Sequence, residues 1–186
     1  MRLVDDILEI EKIEAGEMAL SLRDEDLSRL LQTAVVAAAP LAVLRGVRLV
    51  PENVQVGARA YTDRDRAIQV LTNLFSNAIQ FSPDGAEVRI TLEGRGAASR
   101  IEVRDHGPGI AEDFRPRLFE RFSQGAAVAR GSSGRFGLGL AISKMLAERL
   151  GGRIGYEPAA GGGSIFWFEL PVTESGCTLQ RPGGGT

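Results

Sequence analysis

The sequence predicts an α/β two-layer sandwich, in which a mixed, largely antiparallel sheet packs against about three helices on one face. Three observations lead to this fold class. Residues 63–83 follow helical periodicity with an apolar and a polar face. Residues 88–105 alternate between apolar and polar side chains around a glycine-containing turn, as the strands of a hairpin do. Residues 164–170 form an apolar run that is typical of an interior strand.

Length and composition limit the classes of protein to which the chain can belong. Its 186 residues are 44% hydrophobic, which suffices for one well-buried domain with extensions. A net charge of -2 gives no sign of a nucleic-acid partner, and the single cysteine, Cys177, excludes an internal disulfide. No apolar run approaches the roughly 20 residues of a membrane span, and the start of the chain is acidic where a signal peptide is basic. We therefore expect a cytoplasmic domain that does not contact the membrane.

The first residues predict one short helix that ends at Gly16. Its apolar side chains recur at close to coiled-coil spacing, at Leu3, Ile7, Ile10 and Ile13. A helix this short is marginal by itself. Two interpretations stay open: the helix packs on its own domain, or it belongs to a coiled-coil hairpin.

A strand and a long helix are predicted next. The strand covers Met18–Leu22. The helix is capped by Asp26 or Ser28 and runs to about Leu44, with Pro40 as a kink or break. Its inward side chains are Leu27, Leu30, Leu31, Val35 and Ala38. Two weaker strands follow it.

The helix at residues 63–83 has two faces of different chemistry. Its apolar side chains are Ile68, Leu71, Leu74, Phe75 and Ala78, and its polar ones are Arg66, Gln69, Asn73, Asn77 and Gln80. Asparagine is a poor helix former, so two of them four residues apart favour a specific use. Their uncharged oxygen and amide groups suit a divalent cation held between the protein and the phosphates of a nucleotide. A polar face that lies under a loop explains the pattern equally well.

The predicted hairpin carries a carboxylate on its buried face. Its second strand ends in Asp105, which points inward together with Ile101 and Val103. A buried carboxylate at the end of a strand is costly unless it meets a hydrogen-bond donor. Gly107 and Gly109 follow directly, and glycine allows the backbone to approach another group closely.

A second glycine-rich stretch, which includes Gly137 and Gly139, opens the next helix. The amide groups and the positive dipole end at a helix start suit a phosphate. Strands at residues 152–156 and 164–170 follow. From residue 172 the chain lacks periodicity, so we expect a disordered tail.

Residues 111–136, before that stretch, are the least regular part of the chain. The segment from Asp113 to Arg135 has five arginines against two acidic residues, a local charge of +3. Such a connection beside a phosphate site predicts a nucleotide lid, and a surface loop with incidental arginines is the alternative. We expect Phe119 and Phe122 to anchor the segment to the core.

Four short motifs occur along the chain in the order NLFSNAIQF, DHGPGI, FERF and GLGLAI. They resemble the N, G1, F and G2 boxes of the ATP-binding catalytic domain of bacterial two-component sensor histidine kinases. With the flanking stretches IEKIEAG and GGGSIFWFELP, the resemblance covers nearly everything except the tail. It implies the Bergerat fold, which type II topoisomerase, mismatch-repair and large heat-shock chaperone ATPases share. It also divides the chain into the end of a dimerisation helix at 1–16, an ATP-binding catalytic domain at 17–171 and the tail at 172–186.

The resemblance implies ATP and Mg²⁺ as ligands and gives roles to single residues. Asn77 would bind Mg²⁺ with support from Asn73, and Asp105 would accept a hydrogen bond from the adenine amino group. Arg121 would contact the γ-phosphate or the docked acceptor, unless it only forms a surface salt bridge. Asn73 and Arg121 are therefore the candidate catalytic residues. The residues expected at the nucleotide are Asn73, Asn77, Asp105, Gly107, Gly109, Ile110, Phe119, Gly137, Leu138, Gly139, Leu140 and Ser164.

The resemblance also separates kinases from ATPases within this fold. The ATPases carry a glutamate as general base one helical turn before the metal-binding asparagine, and here that position is Asn73, which cannot accept a proton near neutral pH. A kinase instead positions ATP for a nucleophile on another domain. The implied partners are the dimerisation and phosphoacceptor domain of the same kinase and a response regulator, with a homodimeric full-length protein. The only histidine, His106, lies on the outward side of its strand, so we expect no self-phosphorylation of this chain.

Three departures from the family pattern keep other functions open. Gln80 stands where lysine or arginine is usual, and Arg135 and Phe136 stand where glycine and threonine are usual. The acceptor histidine and its acidic neighbour are absent from the chain. One alternative is a degenerate, non-catalytic module that senses nucleotide or docks a partner. An anti-sigma-type serine kinase is another, and the IEKIEAG stretch and the F box speak against it.

Overall fold

The computed structural model of the protein describes residues 2–123 and 137–172. The predictions for Arg135, Phe136, most of the lid and the tail beyond residue 172 lie outside the described residues. The α-helices of the described part are α1 (Arg2–Glu14), α2 (Leu27–Leu44), α3 (Arg64–Phe81) and α4 (Gly139–Arg149). Its strands are β1 (Leu22–Asp26), β2 (Arg48–Val54), β3 (Arg59–Asp63), β4 (Glu87–Arg95), β5 (Ala98–Arg104), β6 (Arg153–Pro158) and β7 (Ser164–Pro171), and a 3-10 helix spans Arg115–Arg117.

Five strands form the main sheet in the order β2, β4, β5, β7, β6. The β2–β4 pair is parallel and the other three pairs are antiparallel. The predicted hairpin is the β4–β5 pair, and β7 is an interior strand, as its apolar run predicts. β1 and β3 form a separate antiparallel ribbon. The mixed, largely antiparallel sheet of the predicted sandwich is therefore confirmed.

α3 is the central helix of the helical layer, because it packs against α2, α4 and the sheet. The side chains of Leu71, Leu74 and Phe75 are 0% exposed, so the apolar face predicted from periodicity is buried. The helix begins at the carboxylate of Asp63, whose Oδ1 accepts hydrogen bonds from the amides of Asp65 and Arg66 at 3.0 Å and 3.2 Å. This cap satisfies two of the free amides at the helix start.

α2 begins at the predicted cap, Asp26, whose Oδ1 accepts from the amides of Ser28 and Arg29. The predicted break at Pro40 is wrong, since the helix continues to Leu44. Pro40 is exposed, so water can bond the carbonyl that a proline nitrogen cannot.

α2 is also long and apolar enough to cross a membrane, with a mean hydropathy of 1.6 over its 18 residues. The expectation that no apolar run approaches the length of a membrane span therefore does not hold for α2. Core helices of soluble proteins pass the same test. Here its buried side, which includes Leu27, Leu30 and Leu31, belongs to the core cluster that also contains α3.

The strand predicted at Met18–Leu22 is wrong, because β1 begins only at Leu22. Met18 is a core side chain that is 8% exposed, so its apolar character reflects burial and not strand pairing. The true strand has the polar sequence LRDED and pairs with β3 from Leu22 opposite Asp63. An exposed ribbon of charged residues lacks the alternation by which strands are predicted.

α1 packs on its own domain through the side chains of Ile10 and Ile13, which are 4% and 5% exposed. Its apolar stripe is only partly buried, since Ile7 is 40% exposed. The helix lies against α4, and the main chain after it is held by a hydrogen bond from Arg149 to the carbonyl oxygen of Met18 at 2.9 Å. The assignment of residues 1–16 to a dimerisation helix stays a prediction.

The other face of the sheet carries a charged network. Glu169 of β7 is 5% exposed and accepts hydrogen bonds from Arg100 at 2.6 Å and Arg153 at 2.8 Å. Burial acts to raise the pKa of Glu169, but the two arginines outweigh it and hold this pKa below its ordinary value of 4.5. The guanidinium of Arg100 also lies 4.2 Å from the ring centre of Trp167.

Candidate functional site

The polar stripe of α3 contacts other helices over its first half. Arg66 and Gln69 each bond the carboxylate of Glu9 in α1 at 2.8 Å. Further along, the Nδ2 group of Asn73 donates to the hydroxyl of Ser143 in α4, also at 2.8 Å. The described partners of these three stripe residues therefore lie on helices and not on a loop.

The start of α4 lies directly against Asn73. A Cβ atom at Gly139 would lie 2.6 Å from the Oδ1 atom of Asn73, so a larger residue would displace this amide. Within the described residues no side chain caps α4 at its N-cap residue Leu138, whereas Asp26 and Asp63 cap α2 and α3. The amide groups of the first turn of α4 are consequently left for another acceptor.

Asp105 is a buried carboxylate immediately after β5, with only 3% of its surface exposed. Its Oδ1 atom accepts hydrogen bonds from the amides of Gly107 at 2.8 Å and Ser164 at 3.0 Å. Burial raises the pKa of Asp105 above its ordinary value of 3.8, although the two amide bonds act in the opposite direction. A carboxylate that is kept despite this desolvation is typical of a functional group.

Glycines allow the backbone to close around Asp105. A Cβ atom at Gly107 would lie 2.7 Å from the carbonyl oxygen of Phe81, and one at Gly163 would lie 2.1 Å from the carbonyl oxygen of Asp105. Gly109 and Gly163 also have positive φ angles of 75° and 92°, which side chains disfavour. The strand end, the glycine loop and the end of α3 therefore meet without room for side chains between them.

α3 joins the two halves of this candidate site. Its last residue, Phe81, lies against Gly107 beside the buried carboxylate, and Asn73 lies against Gly139 at the start of α4. Asn77 is four residues from each contact, about 6 Å along the helix axis in either direction. Asn77 therefore stands midway between the carboxylate and the uncapped helix start.

The remaining apolar residues predicted at the site are buried or half-buried in the domain. Ile110, Phe119 and Leu140 are half-buried and pack against the core, and Leu138 is 1% exposed. The prediction that Phe122 anchors the lid is wrong, because its side chain is 61% exposed. The backbone of Phe122 has a φ of 56°, in a turn that directs the ring to solvent.

Arg121 forms an ion pair with Glu14 at the end of α1. Both side chains are well exposed, at 39% and 50%, and such surface pairs contribute less than about 1 kcal/mol. A cavity of about 450 Å³ lies beside this pair. It is lined by Glu14, Phe119, Glu120, Arg121, Ala141, Lys144, Met145 and Glu148, and not by the asparagines or Asp105. The predicted residues therefore fall into two neighbourhoods, one around α3 and one beside α1.

Comparison with protein families covers most of this site. A family model described as "Histidine kinase-, DNA gyrase B-, and HSP90-like ATPase" matches residues 62–174, which include Asn73, Asn77, Asp105 and Ser164. The chain belongs to this ATPase family.

Curated relatives place it near the sensor kinases of that family. The chain is 40% identical to the sensor histidine kinase AruS of Pseudomonas aeruginosa over 98% of its own length and 19% of that protein. It is 37% identical to the sensory/regulatory protein RpfC of Xanthomonas campestris pv. campestris, over 92% of the chain and 24% of that protein. The chain therefore spans about a fifth to a quarter of the length of these two relatives.

Solved structures of histidine kinases are also similar to this chain. Full-length ShkA in complex with AMPPNP matches with a TM-score of 0.80 and 33% identity, over 96% of this chain and 37% of that one. The catalytic domain of the histidine kinase ThkA, in a nucleotide-free form, matches with a TM-score of 0.72 and 28% identity, over 82% of this chain and 96% of that one. The chain is thus an ATP-binding catalytic domain of the histidine kinase type, and the alternative of a non-catalytic module is not favoured.

Two residues of this ATPase domain's site were missed by the sequence analysis. Ser143 follows the GLGLAI motif and meets Asn73, and Gly163 precedes β7 and meets the carbonyl group of Asp105. A run of three glycines before a strand is a signal that could have indicated Gly163. A serine within an amphipathic helix gives no comparable signal for Ser143.

Proposed function

We propose that this domain positions Mg–ATP for phosphoryl transfer to a histidine on a dimerisation domain outside the chain. The observation that carries the proposal is the pairing of a buried carboxylate, Asp105, with an uncapped helix start across one turn on either side of Asn77. The first feature suits the amino group of a base, and the second suits phosphates. Phosphoryl transfer depends mostly on positioning and charge neutralisation, which such a site can supply.

Asp105 forms the adenine end of the proposed site. Both main-chain amides bond Oδ1, so the carboxylate is held in one orientation while it accepts from a ligand amino group. Gly107 and Gly109 let the backbone pass close to the base, and the half-buried Ile110 supplies apolar contact. The amide of Ser164 supports the site through Asp105.

The metal end of the site fits Mg²⁺ only together with phosphate oxygens. Within the described residues no cluster of three histidine, cysteine or acidic side chains could hold a metal ion alone. Asn77 offers one neutral oxygen ligand, which suits an ion that keeps several waters and phosphate ligands. When bound, Mg²⁺ supplies charge neutralisation between the phosphates. The amides of Gly139 and Leu140 would bind phosphate oxygens. Gly137 would let the backbone enter this first turn of α4, because glycine tolerates backbone conformations that other residues disfavour.

The chemistry stops short of hydrolysis because no general base stands before Asn77. The side chain at that position, Asn73, is an amide that cannot take a proton from water. His106 is exposed, and its Nδ1 atom lies 2.9 Å from the carbonyl oxygen of Glu87. We therefore assign the nucleophile and its base to the dimerisation domain, in a cytoplasmic, homodimeric kinase that passes the phosphoryl group to a response regulator.

Arg121 has its proposed role at the interface with the acceptor domain. In this structure it pairs with Glu14, and the neighbouring cavity also contains Lys144. Because the pair is exposed and weak, an incoming acceptor domain or a γ-phosphate can take over the guanidinium. Arg121 would act as a catalytic residue only after its guanidinium has left Glu14 for the acceptor domain or the γ-phosphate.

The test mixes the full chain with ATP labelled on its γ-phosphate, Mg²⁺ and a separately purified dimerisation domain of the parent kinase. We expect acid-labile label on the dimerisation domain and none on this chain. Asp105→Asn should weaken the transfer, whereas Ser99→Ala, a buried site on β5, should not. Nucleotide binding without any transfer would contradict the kinase proposal and support a docking or sensing module.

A further inference from the structure

Ser143 is a buried hydroxyl that lies outside the four motifs. It is 2% exposed, in the second turn of α4, and its Oγ accepts the Nδ2 hydrogen of Asn73 at 2.8 Å. The other buried residues of α4 are Ala141, Ile142, Leu146 and Ala147. The hydroxyl is therefore a polar group in an otherwise apolar contact between α4 and α3.

Both polar atoms of the Asn73 carboxamide lie against residues of α4. Nδ2 donates a hydrogen bond to Ser143, while Oδ1 lies only 2.6 Å from the position that a Cβ atom of Gly139 would take. Asn73 is half-buried, so loss of the serine acceptor would leave a partly desolvated amide hydrogen without its partner. The amide would then turn or shift, and the space it occupies is beside the first turn of α4.

We propose that Ser143 is a positioning residue for the phosphate end of the nucleotide site. It acts through Asn73, by holding that carboxamide against the start of α4, and it does not touch the nucleotide. The proposal rests on the proposed function, since it needs phosphates bound at α4. It predicts that Ser143 controls affinity for the phosphates and not for the adenosine, which Asp105 binds at the far end of α3.

The experiment measures calorimetric affinities of the full chain for Mg–AMPPNP and for adenosine. Ser143→Ala should weaken Mg–AMPPNP binding about tenfold, the equivalent of one lost hydrogen bond to a buried group, and leave adenosine affinity unchanged. Ser99→Ala is the matched control. Ser99 is also 2% exposed, and its hydroxyl has no hydrogen-bond partner in the described part of the chain, so neither affinity should change.

A double-mutant cycle distinguishes positioning from general packing. Ser143→Ala should have no further effect on Mg–AMPPNP affinity in an Asn73→Ala background, because the partner through which it acts is gone. Equal losses for Mg–AMPPNP and adenosine, or independent effects of the two substitutions, would overturn the proposal. Ser143→Cys, which keeps the shape with a weaker acceptor, gives the same test if the alanine variant does not fold.

The unsubstituted chain separates this proposal from the function on which it rests. If the unsubstituted chain bound neither Mg–AMPPNP nor adenosine, the proposed function and the inference would both be refuted. Normal binding by the unsubstituted chain, with unchanged Mg–AMPPNP affinity in Ser143→Ala, would overturn the role of Ser143 alone.

Discussion

Replacement of Asp105 by asparagine is the sharpest single test of the nucleotide site. The variant keeps an oxygen that can accept from the amides of Gly107 and Ser164, now at 2.8 Å and 3.0 Å from Oδ1. The other oxygen becomes an NH₂ group. A ligand amino group that donated to the carboxylate would then face a second donor at a residue that is only 3% exposed.

Asp105→Asn is expected to weaken nucleotide binding without lowering the stability of the fold. A buried donor that loses its acceptor costs roughly 1–3 kcal/mol, so affinity for ADP or AMPPNP should fall about 5- to 150-fold. The folded pKa of Asp105 is raised above its ordinary 3.8, mainly by burial. The folded state therefore binds more protons than the unfolded chain between the two pKa values, and the ionised carboxylate lowers stability at neutral pH. Asparagine lacks this charge, so the free energy of unfolding at pH 7 should stay the same or increase.

Calorimetry for nucleotide affinity and urea unfolding for stability measure the two effects on the same samples. Glu169→Gln is the matched control, because Glu169 is also a buried carboxylate and lies on the opposite face of the sheet. It should lower stability without changing nucleotide affinity. Unchanged affinity in folded Asp105→Asn protein would refute the assignment of Asp105 to the base, and a large loss of stability in that variant would show that the carboxylate is structural.

Four further outcomes are expected. Gly163→Ala should lower the free energy of unfolding by at least about 1 kcal/mol, because its Cβ would lie 2.1 Å from the Asp105 carbonyl oxygen at a φ of 92°; a urea curve like that of the parent protein would contradict the contact. The stability contribution of Glu169, whose folded pKa is lowered, should be complete above pH 4.5 and disappear as the pH falls through its folded pKa, so Glu169→Gln and the parent should converge in acid. With Asn73 in place of a base, the purified chain should release no phosphate from Mg–ATP above background, and steady turnover after removal of contaminating ATPases would favour an ATPase. Glu14→Gln, which breaks the exposed ion pair to the FERF motif, should change the free energy of unfolding by less than about 1 kcal/mol in urea titration.

Features that depend on neighbours along the chain could be predicted from the sequence. Helical periodicity located α3 with its buried face, and strand alternation placed Asp105 on the inner side of the hairpin. The polar pattern of α3 singled out Asn73 and Asn77 but left a specific use and a polar face under a loop as equal alternatives. Each of these predictions rests on backbone geometry that repeats within a few residues, so the necessary information lies in one short segment.

Only the tertiary structure decided which distant segments meet. Ser143 lies 70 residues from its partner Asn73, and Gly163 meets Asp105 only because β7 pairs with β5. The burial of Met18 and the ion pair between Glu14 and the FERF motif likewise depend on how α1 and the chain after it lie on the domain. A single polar pair or a close backbone contact has no periodicity of its own. It forms because the sheet and the helical layer bring the two groups together, and a sequence pattern does not encode that distance.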